Sequence, residues 1–318
     1  MTTTDTGTVR PEQTGLGIML ILGSVLIMAF ADALVKLVST DLTVWQVFVA
    51  RSVVAIPLLA GVSIVTGMRL RPGSLIWSLL RSVLLVLTWL AFYASLPVLS
   101  LSVAAVAVYT NPIITALLSA ALIGEPVTRR QWGGVVLGFL GVVTILKPGT
   151  DAFSWYTILP LLAAGFYSSA MVLTRSRCQR EAPLSLALTL HVSFLAIGVA
   201  VTGALAFAAL APDTKEAFPF LFGDWAPMGG RDWGLMALLG VLSAVYFMGV
   251  ARAYQVAAPS TVATFDYAYL VSAALWGFVF FAERPGLTTV CGMVLITAAG
   301  LLVAAPSRKA PAEEAGMV

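Results

Sequence analysis

Charge is scarce in this sequence. Lys and Arg together number 18 and Asp and Glu 15 in 318 residues, so charged side chains are 10% of the chain, against roughly 25% in an ordinary soluble domain. A soluble fold of this length would lack the polar side chains needed to cover its core, which excludes a water-exposed globule. Histidine occurs once and cysteine twice. That set falls short of a structural zinc or haem site, so no metal and no cofactor is expected. Cys178 lies in a basic loop and Cys291 in an apolar run, a placement that gives no reason to pair them. No GxxxxGK[ST] segment offers a phosphate loop for ATP. HExxH, GxSxG and Asp-rich diphosphate patterns are also missing. A lipid-modifying membrane enzyme, the reading from another function class, is left with little chemistry. The net charge of +3 does not imply nucleic acid, because the basic residues are scattered singly and in pairs.

What the chain has is apolar length. Hydrophobic residues make up 59% and mean hydropathy is +0.96. A hydrocarbon core about 30 Å thick takes about 20 apolar residues in a helix. Such windows fall at 15–38, 43–66, 75–95, 100–123, 128–146, 154–174, 183–210, 232–254, 259–281 and 286–305. They predict an all-α polytopic membrane protein of ten transmembrane helices. Turn chemistry separates them, as in Arg71-Pro72-Gly73, Gly124-Glu125-Pro126, Lys147-Pro148-Gly149 and Arg284-Pro285-Gly286. The longest connection is 211–231. Residues 1–14 and 307–318 are polar and are expected to be disordered cytoplasmic tails, the first without the pattern of a cleavable signal peptide.

Lys and Arg set the orientation. With the N-terminus in the cytoplasm, that side collects Arg10, Arg69, Arg71, Arg129, Arg130, Arg175, Arg177, Arg180, Arg252, Arg308 and Lys309. The far side collects only Lys147, Lys215, Arg231 and Arg284. Both termini are therefore expected in the cytoplasm.

The second half also echoes the first. A shift of 158 residues places Ser102 on Ser260, Tyr109 on Tyr267, Glu125 on Glu283, and Gly134 on Gly292. Earlier helices align more weakly, near a shift of 139. A five-span unit is odd-numbered, so its second copy enters the membrane from the opposite side. Two inverted five-helix repeats are expected, at 15–149 and 150–306, with a substrate site near the midplane between them.

Ser95-Leu96-Pro97 through Thr110-Asn111-Pro112, then Gly124-Glu125-Pro126, Gly133-Gly134, Gly138, Gly141 and Lys147-Pro148-Gly149, resemble the EamA repeat of the drug/metabolite transporter superfamily. Ala257-Ala258-Pro259 through Ala282-Glu283-Arg284-Pro285 look like its second copy. Asp32 with Lys36, Arg51, Leu80-Arg81-Ser82 and Phe265-Asp266-Tyr267-Ala268-Tyr269-Leu270 are most similar to the branch of riboflavin and S-adenosylmethionine carriers. The resemblance implies a ten-helix fold and a central cavity opening alternately to either side. It also implies transport without ATP hydrolysis, by a monomer or homodimer. Export of amino acids or other small metabolites is the alternative cargo reading.

An ionisable group inside a span is costly and faces a cavity or a partner. Asp32 and Lys36 are four apart, so they form a self-neutralising pair or leave Asp32 as a cavity carboxylate. Arg51 is deep in the second span, paired with Asp32 or facing a polar cargo. Arg81 is near the cytoplasmic start of the third span, where anchoring to lipid phosphate is its plain role. His191 and Asp266 are the groups suited to proton coupling. Pro112 frees the carbonyl of Val108. Asp32, Arg51, Trp89, Tyr109, Asn111, His191, Asp266, Tyr267 and Tyr269 are expected to share one pocket for a small molecule, the rings covering a planar cargo. Lys36, Glu125, Glu283, Gly134 and Gly138 are assigned to structure. The two glutamates would accept hydrogen bonds from the next helix's N-terminus, and the glycines would allow close helix packing.

Single cysteines placed in the 211–231 loop and at the C-terminus should react with an impermeant thiol reagent from opposite sides of the membrane. Reaction from one side only would rule out an even number of spans.

Overall fold

The structure is a computed structural model describing residues 11–124, 129–146, 154–208 and 210–304. Glu125 and both terminal tails beyond these ranges lie outside the described residues. Among the described residues there is helix and no strand.

The chain runs through α1 (Pro11–Val38), α2 (Val44–Thr66), α3 (Leu75–Ser95), then α4 (Leu101–Val108) and α5 (Asn111–Ile123), and α6 (Arg129–Leu146). The second half repeats this order with α7 (Ile158–Arg177) and α8 (Pro183–Phe207). Two short helices follow, α9 (Pro212–Ala217) and α10 (Pro219–Phe222), then α11 (Gly230–Val256), α12 (Pro259–Phe265) with α13 (Ala268–Phe281), and α14 (Leu287–Ala304). Among the described residues, eight helical units are long and apolar enough to cross a membrane, α4–α5 and α12–α13 each counting as one. The apolar stretches in α6 and α14, Trp132–Gly141 and Leu287–Ala299, are shorter. Within the connection read from sequence only as a loop, α9 and α10 are folded. Trp45 Nε1 donates to the Leu221 carbonyl (2.8 Å) and Gln46 Nε2 to that of Ala226 (2.8 Å). The same Gln46 closes a capping box with Thr43 at the start of α2, so one side chain orders both the helix end and the loop.

The helix contacts are closed under exchange of the two halves. α1 packs along α11, and its counterpart α7 along α3. α4 meets α13 while α5 meets α12, and α2 pairs with α8 and α6 with α14. Hydrogen bonds also sort the ends: Lys36 at the end of α1 reaches the α3–α4 turn and the end of α13. Arg175 at the end of α7 reaches the end of α11. The outer surface is apolar, with Met19, Ile64, Val65, Ile76, Leu122, Phe139, Val271 and Leu287 all exposed. Such a belt is costly in water and neutral in lipid.

Gly134 and Gly138 are buried on α6. A Cβ on Gly138 would stand 2.9 Å from Ile113 Cδ1 and 3.6 Å from Ala299 Cβ. At Gly141 it would stand 2.7 Å from Ile296 Cγ1 and 2.9 Å from the Gly292 carbonyl. The small face of α6 therefore seats α14 of the same chain. Leu at position 141 should destabilise the folded protein by about 1–3 kcal/mol, the usual range for overpacking. Gly165→Ala, where a Cβ meets nothing within 4 Å, should leave the thermal unfolding midpoint in detergent unchanged or raised. Equal midpoints for the two variants would contradict the close approach of α6 and α14.

Candidate functional site

Two helix breaks face each other at the centre. The first separates α4 from α5 at Tyr109-Thr110. Pro112 has no N–H to give to the Val108 carbonyl, so the α-helical ladder stops there, and Thr110 Oγ1 donates back to the Ala107 carbonyl (3.0 Å). The second separates α12 from α13 at Asp266-Tyr267, without a proline. There Tyr269 N donates to the Asp266 carbonyl and Leu270 N to that of Tyr267, each at 3.0 Å, tightening one turn. Tyr109 and Tyr267, equivalent in the 158 register, stand beside each other with ring centroids 6.1 Å apart. Tyr109 stacks on Tyr269 at 5.0 Å and 25°.

Between the breaks lies a cavity of about 30 Å³, lined by Asp32, Trp89, Tyr109, Asn111 and Tyr269 together with Met28, Thr88, Phe92, Val108 and Tyr167. It has room for water and nothing larger. Asp32 is fully buried and accepts hydrogen bonds from Tyr93 Oη (3.0 Å) and Tyr269 Oη (2.7 Å). Arg51 does not line the cavity and does not pair directly with Asp32. Its Nη1 donates to the Tyr93 hydroxyl (3.3 Å), so the tyrosine bridges base and acid. The guanidinium sits over Phe194 (4.1 Å to the centroid), Phe48 (5.0 Å) and Tyr93 (5.7 Å). Cation–π attraction replaces part of its lost hydration. Its Nε and Nη2 have no hydrogen-bond partner among the described residues.

The other proposed site residues stand apart from this cavity. His191 lies between Ser52 Oγ and Ser243 Oγ, both at 3.4 Å, and edge-on to Phe247. Phe194 and Phe247 are the rings between it and the groups around Arg51 and Trp89. Asp266 accepts from Tyr254 Oη (2.9 Å), while its other oxygen has no partner among the described residues. Tyr267 reaches the cavity only through the ring of Tyr109. Thus five of the named residues share one cavity, Arg51 is one hydroxyl further, and His191, Asp266 and Tyr267 form its flanks. Met28, Thr88, Phe92 and Tyr167 were missed. A single apolar or aromatic residue in an apolar helix carries no local signal that separates cavity lining from packing.

Three expectations need correction. Lys36 does not pair with Asp32; its Nζ contacts Glu283 Oε1 (2.7 Å) and the Leu99 carbonyl (2.8 Å). Helical spacing permitted the i,i+4 pair, but the last turn of α1 lies beside the α3–α4 turn, which offers Lys36 a carbonyl and a carboxylate. Glu283 serves not the next helix but the start of α4, accepting from Leu101 N at 3.0 and 3.2 Å. In the 158 register Pro259, which has no N–H, stands where Leu101 does. Arg81 is buried, not anchored at a lipid surface, and its Nε donates to Thr174 Oγ1 (2.6 Å).

On the face where α7 and α11 end, an open basin of about 1110 Å³ is lined by Arg69, Arg71, Arg180 and Arg252, with Glu181 at its wall. Glu181 accepts from Gly73 N (2.7 Å) and Ser74 N (2.8 Å), holding the start of α3. No group of three His, Cys, Asp or Glu suited to a metal ion occurs among the described residues.

Two exchanged halves, a lipid-compatible exterior and a largely aromatic cavity with one buried carboxylate between broken helices define a multi-pass membrane protein of the transporter class. The chain matches the EamA-like transporter family over residues 15–147 and again over 154–305, and it belongs to that family: it is a membrane transporter of small metabolites. It is 27% identical to a pseudopaline exporter of Pseudomonas aeruginosa over 270 residues, which cover 84% of this chain and 88% of the exporter. It is 29% identical to a riboflavin transporter of Rhizobium johnstonii, covering 68% of this chain and 64% of the other. With an S-adenosylmethionine uptake transporter of Rickettsia felis the identity is 24%, covering 73% and 72%. These relatives place it with the riboflavin and S-adenosylmethionine branch. A crystal structure that is 16% identical superposes with a TM-score of 0.64 over 92% of this chain and 96% of the other, a likeness of fold.

Tyr93→Phe should destabilise the protein by about 1–3 kcal/mol, because Arg51 and Asp32 each lose a buried partner. In an Asp32→Asn background the same change should cost less, since the hydroxyl no longer serves a charged acceptor. Strictly additive losses in thermal unfolding would show that the bridge carries no coupling.

Proposed function

We propose that this chain is a secondary carrier, working without ATP, whose cargo is a planar heterocyclic metabolite of the riboflavin or S-adenosylmethionine kind. The observation that carries this reading is the central cavity, where a buried carboxylate lies among Trp89, Phe92, Tyr109, Tyr167 and Tyr269. Ring faces suit a planar cargo, and Asp32 suits a donor or cationic group on it. The names of the relatives support the same class. In this reading the ten helical units are ten spans in two inverted repeats, 15–149 and 150–306, with both termini in the cytoplasm of a bacterial inner membrane. Asp266 and His191 are the proton-coupling groups. Export of an amino acid or another small metabolite is the second reading, favoured by the exporter being similar over most of both chains.

At about 30 Å³ the cavity is too small for such a cargo, so cargo enters only when the halves part. That requirement fits a carrier and not a channel or a surface receptor.

Counterflow in proteoliposomes tests the reading, with labelled riboflavin and labelled S-adenosylmethionine each assayed against an excess of the same compound inside. Uptake without chemical change is expected for at least one of them. Trp89→Ala should weaken its binding by about 1 kcal/mol. Asp266→Asn should keep counterflow and lose gradient-driven uptake. Absence of counterflow for both compounds, alongside active exchange of amino acids, would replace the heterocycle reading with the second one.

A further inference from the structure

At each face of the bundle a cation in the last turn of the first helix of a repeat reaches a main-chain carbonyl, and the two cations occupy the same place in the two halves. Lys36, in the last turn of α1, becomes Arg175, in the last turn of α7, under the 139 shift. Lys36 Nζ donates to the Leu99 carbonyl in the α3–α4 turn (2.8 Å). Arg175 Nη1 donates to the Gln255 carbonyl at the end of α11 (2.8 Å), two residues before the position matching Leu99 in the 158 register. Each bond ties a span to the joint between the two spans that follow it two places on. Both are in place here, and the cavity between them measures only about 30 Å³. The first latch is reinforced by Glu283, which also holds the start of α4. The second is reinforced by Gln255, whose Nε2 donates to the carbonyls of Cys178 (2.9 Å) and Glu181 (2.7 Å) in the α7–α8 turn.

We infer that Lys36 and Arg175 are the paired latches of the transport cycle, one for each face, and that opening a face means breaking its latch while the other holds. The inference rests on the carrier reading above. Its physical basis is that each latch ends in a charge-assisted hydrogen bond to a main-chain carbonyl, with the cation only partly exposed to water. Such a bond is strong enough to hold a face and lacks the deep burial that would make it permanent. The asymmetry between the latches has a consequence too. A carboxylate completes the Lys36 side, whereas amide and carbonyl groups complete the Arg175 side, so the two faces close with different strengths.

The native Cys178 reports on the second face. Its side chain is buried against Leu186, Ala251 and Trp77, so Ala251 of α11 covers it. Burial also pushes its thiol above the ordinary value. Parting α11 from the α7–α8 turn exposes it to the arginine-lined basin, which includes Gln179, Arg180 and Glu181. The exposed Cys291 is removed as Cys291→Ser. The rate at which a hydrophilic maleimide labels Cys178 in purified protein then measures opening of that face, with no cargo present.

Arg175→Gln should speed labelling about tenfold, the population shift expected when a charge-assisted bond is lost from one of two exchanging states. Lys36→Gln should slow it, because it stabilises the state open on the opposite face. Gln255→Leu, which leaves Arg175 in place, should speed labelling as Arg175→Gln does and serves where the arginine variant fails to fold. Unchanged labelling in Arg175→Gln or in Gln255→Leu overturns the inference. So does faster labelling in Lys36→Gln, which would mean general loosening and not a second latch. Loss of counterflow in the wild type with these labelling shifts intact would instead fault the carrier reading and leave the latches standing.

Discussion

A carboxylate without water must receive its hydrogen bonds from the protein, and Asp32 receives them from two tyrosines of different halves. Tyr93 comes from α3 and Tyr269 from α13, so the acid on α1 can be satisfied only when those three elements converge. Arg51 adds a fourth element through the same Tyr93 hydroxyl. In an apolar medium an unpaired buried charge is far more costly than any single packing contact. The network therefore fixes the relative depth of four helices, and the aromatic rings around it fill what remains. Placing Arg51 under Phe48 and Phe194 follows from the same constraint, since π faces are the polar surface an apolar helix can supply.

The fold was largely legible because its main determinant is local. Apolar length and turn residues are properties of consecutive positions, and the ten windows fall on the observed helical units. The pairing of halves was legible through a few uncommon residues in one register, above all Tyr109 with Tyr267. The two breaks divide instructively. Pro112 announced the first by removing an N–H, whereas Asp266-Tyr267 breaks without a proline and left no mark that composition or spacing reveals. The 211–231 connection was read as a loop since short helices anchored by Trp45 and Gln46 depend on partners far away in the chain.

The site was legible in its types and not in its pairings. A buried ionisable residue advertises itself in an apolar sequence, so Asp32, Arg51, His191 and Asp266 were visible. Their partners were not: Lys36 and Glu283 are 247 positions apart, and helical spacing pointed Lys36 toward Asp32 instead. Two groups four apart on a helix meet only if neither finds a better partner. Here Asp32 is deep enough to be taken by tyrosines, while Lys36 is shallow enough to reach a neighbouring turn. Depth within the bundle decided the matter, and depth is a tertiary quantity.

Depth also separates the two kinds of polar contact in the molecule. At the centre, Asp32, Arg51 and Tyr93 are closed off from water and bind one another through hydroxyls, an arrangement whose partial disruption would strand charges in an apolar medium. Near the faces, Lys36, Arg175 and Glu181 bond to carbonyl and amide groups at helix ends, where water stands ready to replace either partner. A contact that water can substitute is reversible at small net cost. In the carrier reading proposed above, a bundle that opens alternately on its two faces needs its centre tied by bonds of the first kind and its rims by bonds of the second. The helix breaks at Tyr109-Thr110 and Asp266-Tyr267 belong to the central zone, and the rings beside them, Tyr109 and Tyr269, both line the cavity next to Asp32.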